Sequence, residues 1–203
     1  MKQIILASEF YNCQEPIIDA IGGVTGKHVL MIPTAAFGQG KELYPQEDTE
    51  PFTDRGASLT VFDIAGKSKE DVVKEVKKAD VIYLRGGSPF YLLKQAKLCE
   101  FSDVLSTHFS EGVYIGTSSG AIILTHDISY WVQYSKNAPD LNADLQGLGK
   151  IDFNFVPHAK TKNVVSAYEK NCKKGAHKQT FVLSDNQALL VQNNHIRLLQ
   201  ESK

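Results

Sequence analysis

Residues 116–120, with the sequence GTSSG, have the spacing Gly-x-Ser-x-Gly, in which a serine hydroxyl can act as a nucleophile. The apolar run GVYI precedes the motif and AIIL follows it, so it lies between a predicted strand and a predicted helix. A tight turn there raises one side chain above the sheet, and the flanking glycines relieve crowding. Ser118 would occupy the apex, and the amide of Ser119 could serve as an oxyanion donor. The alternative is an ordinary strand-to-helix turn with a capping serine.

A serine nucleophile needs a base, and the base needs a group that orients it. Among the six histidines, His158 has the most suitable position, because it follows the predicted strand DFNFV at a Pro-His step. His126 is closer to Ser118 in sequence, but it is predicted to lie along the helix that leaves the turn. His158 is therefore the predicted base.

The acid is less restricted by position. Asp185 follows the short apolar run FVLS, and four other aspartates compete with it: Asp127, Asp140, Asp144 and Asp152. The order serine, acid, histidine is that of the α/β-hydrolases, and it would need Asp140 or Asp144. The order Ser118, His158, Asp185 would belong to another scaffold.

A second loop of interest, at Gly86-Gly87, follows the predicted strand at residues 80–84. The simple interpretation is a turn. The functional interpretation is a backbone that approaches the substrate closely, with the amide of Gly87 as a second oxyanion donor. The sequence GGSPF does not predict a phosphate-binding loop, because no lysine follows at the required spacing.

The elements that must position these residues alternate between strands and helices. Strands are predicted at residues 3–7, 28–33, 58–62, 80–84, 112–115, 152–156, 181–183, 188–192 and 195–199, and helices at 67–78, 90–97 and from 121. This alternation predicts an α/β fold, a mostly parallel sheet with helices on both faces. Sites in such folds lie at the carboxyl ends of the strands. A length of 203 residues fits one domain, or one domain with a small appendage, and we predict a single domain over residues 1–203.

Composition excludes several classes of function. The net charge of −1 gives no indication of nucleic acid or an anionic membrane as a partner, and no apolar stretch approaches the length of a membrane span. Cys13, Cys99 and Cys172 are odd in number and far apart, which favours separate reduced thiols over disulfides or a zinc site. We therefore expect a cytoplasmic protein with no metal or cofactor.

Five segments together resemble the aspartyl dipeptidase (peptidase E) family of serine peptidases, and cyanophycinase is similar but more distant. They are IPTAAF (32–37), LRGGSPFYLLKQ (84–95), YIGTSSGAI (114–122), DFNFVPH (152–158) and VLSDNQALLV (182–191), in the order of the family. The resemblance implies a fold like that of the class I glutamine amidotransferases, a flavodoxin-like three-layer sandwich with serine in place of cysteine. It implies Ser118 as nucleophile, His158 as base and Asp185 as acid, with oxyanion donors at Gly87 and Ser119.

The resemblance also implies a short peptide as substrate, with contacts at Gly86, Ser88 and Asp140; a homodimer is a further hypothesis. One departure concerns recognition of an aspartyl side chain, for which arginine is best suited. No arginine occurs between Arg85 and Arg197, so Lys160 and Lys162 would have to supply the charge. The aromatic residues Tyr130, Trp131 and Tyr134 indicate a more apolar or altered pocket.

These observations predict a serine exopeptidase for dipeptides or very short peptides, with N-terminal aspartate as one option for the first residue. Two alternatives have other consequences. Another serine acyl hydrolase, such as an esterase or an isopeptide-bond hydrolase, would turn over esters without cleaving dipeptides. A non-catalytic binding protein on the same fold would not react with a serine-directed probe.

Overall fold

The computed structural model of the protein describes residues 1–38, 40, 46–134, 143–159, 179–193 and 195–201. Within these ranges the main sheet has seven strands. In spatial order they are β3 (Ser58–Val61), β2 (His28–Ile32), β4 (Val81–Leu84), β5 (Val113–Thr117), β1 (Gln3–Ala7), β8 (Gln187–Gln192) and β9 (His195–Gln200). The first five of these are parallel, β8 is antiparallel to β1, and β9 is antiparallel to β8.

A second, smaller sheet consists of two parallel strands, β6 (Asn154–Val156) and β7 (Thr180–Val182). The helices of the described ranges are α1 (Gln14–Ala20), α2 (Thr34–Phe37), α3 (Glu50–Thr53), α4 (Lys69–Val76), α5 (Pro89–Leu98), α6 (Phe101–His108) and α7 (Ser119–Ile122). Short 3₁₀ segments occur at Tyr11–Cys13, Gln46–Asp48 and Ser129–Tyr134. No helix in the described part of the chain is long and apolar enough to cross a membrane.

The core is divided between the two faces of the main sheet, because successive strand side chains point to opposite sides. In β1, Leu6 joins a cluster that includes Leu93 of α5 on one face. Its neighbour Ile5 joins a second cluster that includes Ile17 of α1 on the other face. The result is a three-layer α/β arrangement, and the predicted fold class is confirmed.

The predicted strands all occur within a few residues of their expected bounds. The predicted helix over residues 67–78 is shorter at both ends. It begins at Lys69 because Ser68 caps α4 through a reciprocal pair of hydrogen bonds with Asp71, and it ends at Val76. The helix expected from residue 121 begins two residues earlier, at Ser119, and ends at Ile122. His126 therefore lies beyond the helix rather than along it, contrary to expectation.

Candidate active site

The turn at Ser118 joins β5 to α7 and holds its central residue in an unusual backbone conformation. Ser118 has φ 49° and ψ −106°, a region that residues other than glycine rarely adopt and that is typical of functional turns. The glycines on either side have no room for a side chain. A Cβ atom on Gly116 would lie 2.6 Å from the carbonyl carbon of Gly120, and one on Gly120 would lie 2.5 Å from the carbonyl oxygen of Leu84. Close packing thus requires glycine at both ends of the GTSSG motif.

Ser118, His158 and Asp185 form a continuous chain of hydrogen bonds. The Oγ atom of Ser118 lies 3.0 Å from Nε2 of His158, and Nδ1 of His158 lies 2.6 Å from Oδ1 of Asp185. Because a carboxylate accepts the Nδ1 proton, Nε2 is left as an acceptor for the serine hydroxyl. This is the arrangement in which a histidine can remove a serine proton.

The small sheet brings the histidine and the aspartate together. β6 and β7 are parallel, with Val156 opposite Val182 at their carboxyl ends. His158 comes two residues after the first strand, and Asp185 comes three residues after the second. Ser118 follows β5 in the same way, so all three residues lie in loops at the ends of parallel strands. His158 itself adopts φ 62°.

Ser8, which directly follows β1, forms hydrogen bonds with both His158 and Asp185. It was not among the predicted site residues. Its side chain is fully buried. Its hydroxyl lies 3.0 Å from Oδ1 of Asp185 as a donor and accepts a hydrogen bond from the backbone amide of His158 at 2.8 Å. One hydroxyl therefore fixes the backbone of the histidine and the carboxylate of the aspartate at once.

The loop at Gly86-Gly87 lies against the serine turn. A Cβ atom on Gly87 would collide with the carbonyl oxygen of Ala35, so only glycine fits there. The amide of Gly87 donates to Oγ of Ser119 at 3.2 Å, and that hydroxyl donates to the carbonyl oxygen of Gly87 at 2.5 Å. The Ser119 side chain, for which only an amide role was predicted, thus ties the two loops together.

A cavity of about 250 Å³ opens in front of Ser118. Its lining residues come from four strand ends and the segment before α3: Glu9, Asp48, Tyr83, Arg85, Gly86, Gly87, Thr117, Ser118 and His158. Gly86 and Gly87 therefore border the cavity in front of Ser118. Ser88 does not line the cavity, and its hydroxyl instead caps α5 by accepting the amide of Tyr91 at 3.3 Å. Asp140 and Lys160 lie outside the described residues.

The cavity wall carries charged groups that were not predicted as site residues. Arg85 contacts Asp48 through Nε and Oδ2, as an ion pair rather than an aligned hydrogen bond. Burial raises the pKa of Asp48, although the guanidinium of Arg85 opposes the change. Burial likewise raises the pKa of Glu9, against the influence of His158. Ser8 and Glu9 directly follow a predicted strand, which is the criterion that selected His158 and could also have identified them. Asp48 does not follow a strand, and no pattern in the sequence points to it.

The competing candidates are engaged elsewhere. His126 pairs with Asp152, with Nε2 and Oδ1 2.7 Å apart. Asp144 forms an ion pair with Lys97 at 2.6 Å, and Asp127 accepts the amide of Ser129 at 2.7 Å. None of these residues lines the cavity in front of Ser118.

No group of three or more histidine, cysteine or acidic side chains in the described ranges is arranged to hold a metal ion. Cys13 and Cys99 are free and buried. Burial raises the pKa of each thiol to about 11, which disfavours the reactive thiolate. The third cysteine, Cys172, lies outside the described residues.

Known proteins are similar to this chain in both sequence and fold. The family model for peptidase family S51 matches residues 4–199. The uncharacterized peptidase PM1590 of Pasteurella multocida (strain Pm70) is 28% identical over 204 residues, which cover 98% of each chain. The uncharacterized peptidase Lmo0363 of Listeria monocytogenes serovar 1/2a is 26% identical over 200 residues, or 97% of each chain.

Two crystal structures have the same fold. A candidate peptidase E protein from Listeria monocytogenes EGD-e matches with a TM-score of 0.87 at 24% identity, over the whole of both chains. A peptidase from an acI-B1 Actinobacterium matches with a TM-score of 0.68 at 18% identity, over 100% of this chain and 89% of that one. The expected fold, like that of the class I glutamine amidotransferases, is thus confirmed. Since the family model spans nearly the whole sequence, the resemblance to peptidase E is confirmed as well, and the chain belongs to peptidase family S51.

Proposed function

We propose that the protein is a serine exopeptidase that hydrolyses dipeptides or very short peptides through a covalent acyl-enzyme. The observation that carries the proposal is the hydrogen-bonded chain from Ser118 Oγ through the His158 ring to Asp185, with heavy-atom distances of 3.0 and 2.6 Å. The positive φ of Ser118 adds support, because such a turn projects the hydroxyl toward the cavity.

In the proposed reaction, His158 Nε2 accepts the proton of Ser118 as Oγ attacks the peptide carbonyl carbon. The negative charge that develops on the carbonyl oxygen is stabilised by backbone amides. We assign this role to the amides of Ser119 and Gly87. The amide of Gly87 would exchange its hydrogen bond with the Ser119 hydroxyl for one with the oxyanion.

His158 then donates its proton to the departing amine, so that the peptide bond breaks and an ester of Ser118 remains. In the second half of the reaction, the same nitrogen removes a proton from a water molecule that attacks the ester. Asp185 keeps the proton on Nδ1 and stabilises the positive charge that the ring carries between these transfers. Every proton in the cycle passes through one ring nitrogen.

The size of the cavity favours a short substrate. A volume of about 250 Å³ lies below the usual range of about 300–1,000 Å³ for ligand pockets. We infer that one amino-acid residue occupies it on the acyl side of the scissile bond. This small volume, together with the resemblance to the aspartyl dipeptidase family, supports an exopeptidase rather than an endopeptidase.

The experiment is a dipeptide library, Asp-X, Glu-X, Ala-X and Leu-X, incubated with wild-type protein and Ser118→Ala. We expect cleavage by the wild type and a loss of about 10⁴-fold or more in the variant. Ser106→Ala, on the exposed side of α6, is the matched control and should match the wild type. Ester turnover without dipeptide cleavage would contradict the peptidase assignment, as would cleavage by Ser118→Ala at the wild-type rate.

A further inference from the structure

The carboxylate of Glu9 has an environment unlike that of the other charged groups in the cavity. Glu9 lies just beyond β1, is partly buried, and lines the same cavity as Ser118 and His158. Within the described part of the chain it has no hydrogen bond to a donor and no ion pair. A partly desolvated carboxylate without a partner is unfavourable unless a cation or a donor approaches it.

The second carboxylate of the cavity is already neutralised. Asp48 is paired with Arg85, their side chains are 14% and 13% exposed, and the hydroxyl of Tyr83 lies 3.4 Å from Oδ1 of Asp48. The arginine and this aspartate therefore cancel in charge. Among the lining residues that the structure describes, the negative charge left for a ligand is that of Glu9.

We infer that Glu9 binds the free α-ammonium group of the substrate, so that the site selects the amino-terminal residue of a peptide. The inference rests on the proposed function and adds a residue that recognises the substrate. The geometry of a peptide supports it: the α-nitrogen is two covalent bonds from the carbonyl carbon that Ser118 would attack. A residue placed for attack thus has its ammonium group in the same small cavity as the carboxylate of Glu9.

Two alternatives make different predictions. If Glu9 only stabilises the fold, its replacement affects all substrates equally. If Glu9 acts on His158, its replacement changes the reactivity of Ser118 toward any acylating reagent. Binding of an ammonium group predicts instead that the effect of the replacement depends on whether the substrate carries that group.

The test is a cycle of two changes, one in the protein and one in the substrate. The protein change is Glu9→Gln, which keeps the size of the side chain and removes the charge. The substrate change takes the dipeptide of the library that the wild type cleaves fastest and replaces its α-ammonium group by hydrogen. The control variant is Glu111→Gln, an exposed glutamate before the amino end of β5, at the opposite edge of the sheet.

For the unmodified dipeptide we expect Glu9→Gln to lower kcat/KM by about 10- to 100-fold, as for loss of a hydrogen bond between charged groups. For the des-amino substrate we expect the two proteins to differ by less than about twofold, because no ammonium group is present to bind. Labelling of Ser118 by a fluorophosphonate probe should proceed at the same rate in both proteins. Glu111→Gln should match the wild type throughout.

Equal losses on both substrates would overturn the inference, as would a Glu9→Gln variant that cleaves the dipeptide at the wild-type rate. In either case labelling of Ser118 and its loss in Ser118→Ala would leave the proposed function intact. A wild-type protein that neither reacts with the probe nor cleaves any dipeptide would overturn the proposed function and this inference together.

Discussion

The hydroxyl of Ser8 accepts the backbone amide of His158 at 2.8 Å, which joins the end of a central strand to a residue 150 positions later. The same hydroxyl lies 3.0 Å from Oδ1 of Asp185. β1 also supports the serine turn, since the carbonyl oxygen of Ala7 accepts the amide of Ser118 at 2.9 Å. Two consecutive residues of one strand end therefore hold all three members of the hydrogen-bonded chain, which explains how distant segments reach a common geometry.

Replacing Ser8 by alanine should lower kcat by about 10- to 100-fold, with KM nearly unchanged. The loss follows from a hydrogen bond to a charged group, worth about 1.5–3 kcal/mol, at about 1.4 kcal/mol for each factor of ten. Steady-state kinetics on the best dipeptide would measure it, with Ser106→Ala as control. A variant that is less stable to heat but keeps the wild-type kcat would show that Ser8 is structural and not a positioning residue.

The sequence predicted the strands well because apolar runs between turn residues are local signals. Strand ends also directed attention to Ser118, His158 and Asp185, since parallel strands deliver their loops to one edge. α1 was not predicted, because its sequence QEPIIDA carries an early proline and few apolar residues. Its buried residues Ile17 and Ile18 are helical through packing on the sheet rather than through a periodic pattern.

The groups around the nucleophile were harder to predict. Asp48 reaches the cavity from a 3₁₀ segment before α3, and no local pattern indicates that it meets Arg85. The role of the Ser119 hydroxyl depends on the separation of two loops that are 32 residues apart. Contacts of this kind are set by tertiary packing, and one sequence contains no direct signal for them.

Replacing Asp185 by asparagine should lower kcat/KM by about 10³- to 10⁴-fold, because the histidine would lose the acceptor that keeps its proton on Nδ1. Kinetics over a range of pH would measure the effect. Asp152→Asn is a matched control, since it alters a second aspartate–histidine pair, with His126, that does not border the cavity. Similar losses in both variants would contradict a specific role for Asp185.

Replacing Ser119 by alanine should give a smaller loss, about tenfold in kcat, and should leave labelling of Ser118 by a fluorophosphonate probe detectable. The backbone amide of Ser119 remains, but the hydrogen bond from its hydroxyl to the carbonyl oxygen of Gly87 is lost. That bond would persist while the Gly87 amide binds the oxyanion, and it is worth about 0.5–1.5 kcal/mol. Comparison with Ser118→Ala identifies which serine attacks. If labelling were lost completely in Ser119→Ala but retained in Ser118→Ala, the attack would be assigned to the hydroxyl of Ser119.

Replacing Glu9 by glutamine should increase the free energy of unfolding at pH 7.5, even as it lowers activity. Burial raises the pKa of Glu9 in the folded protein, and the titratable and charged groups that face it are His158, Asp48, Asp185 and Arg85. A raised pKa means that the charged form is disfavoured by folding. Glu9 therefore costs little stability below its ordinary pKa of about 4.3. The cost develops as pH rises from that value to the raised folded pKa, and it is fully present above the folded pKa.

The gain from Glu9→Gln should accordingly be present at pH 7.5 and nearly absent at pH values below about 4, where the glutamate is protonated in both states. Urea unfolding of wild type and variant at the two pH values measures the difference, and Glu111→Gln controls for loss of one acidic charge. A variant that is less stable at pH 7.5, or that gains as much at low pH, would contradict the expectation. Opposite changes in stability and activity would indicate that the carboxylate is kept for binding, because damage to the fold would lower both.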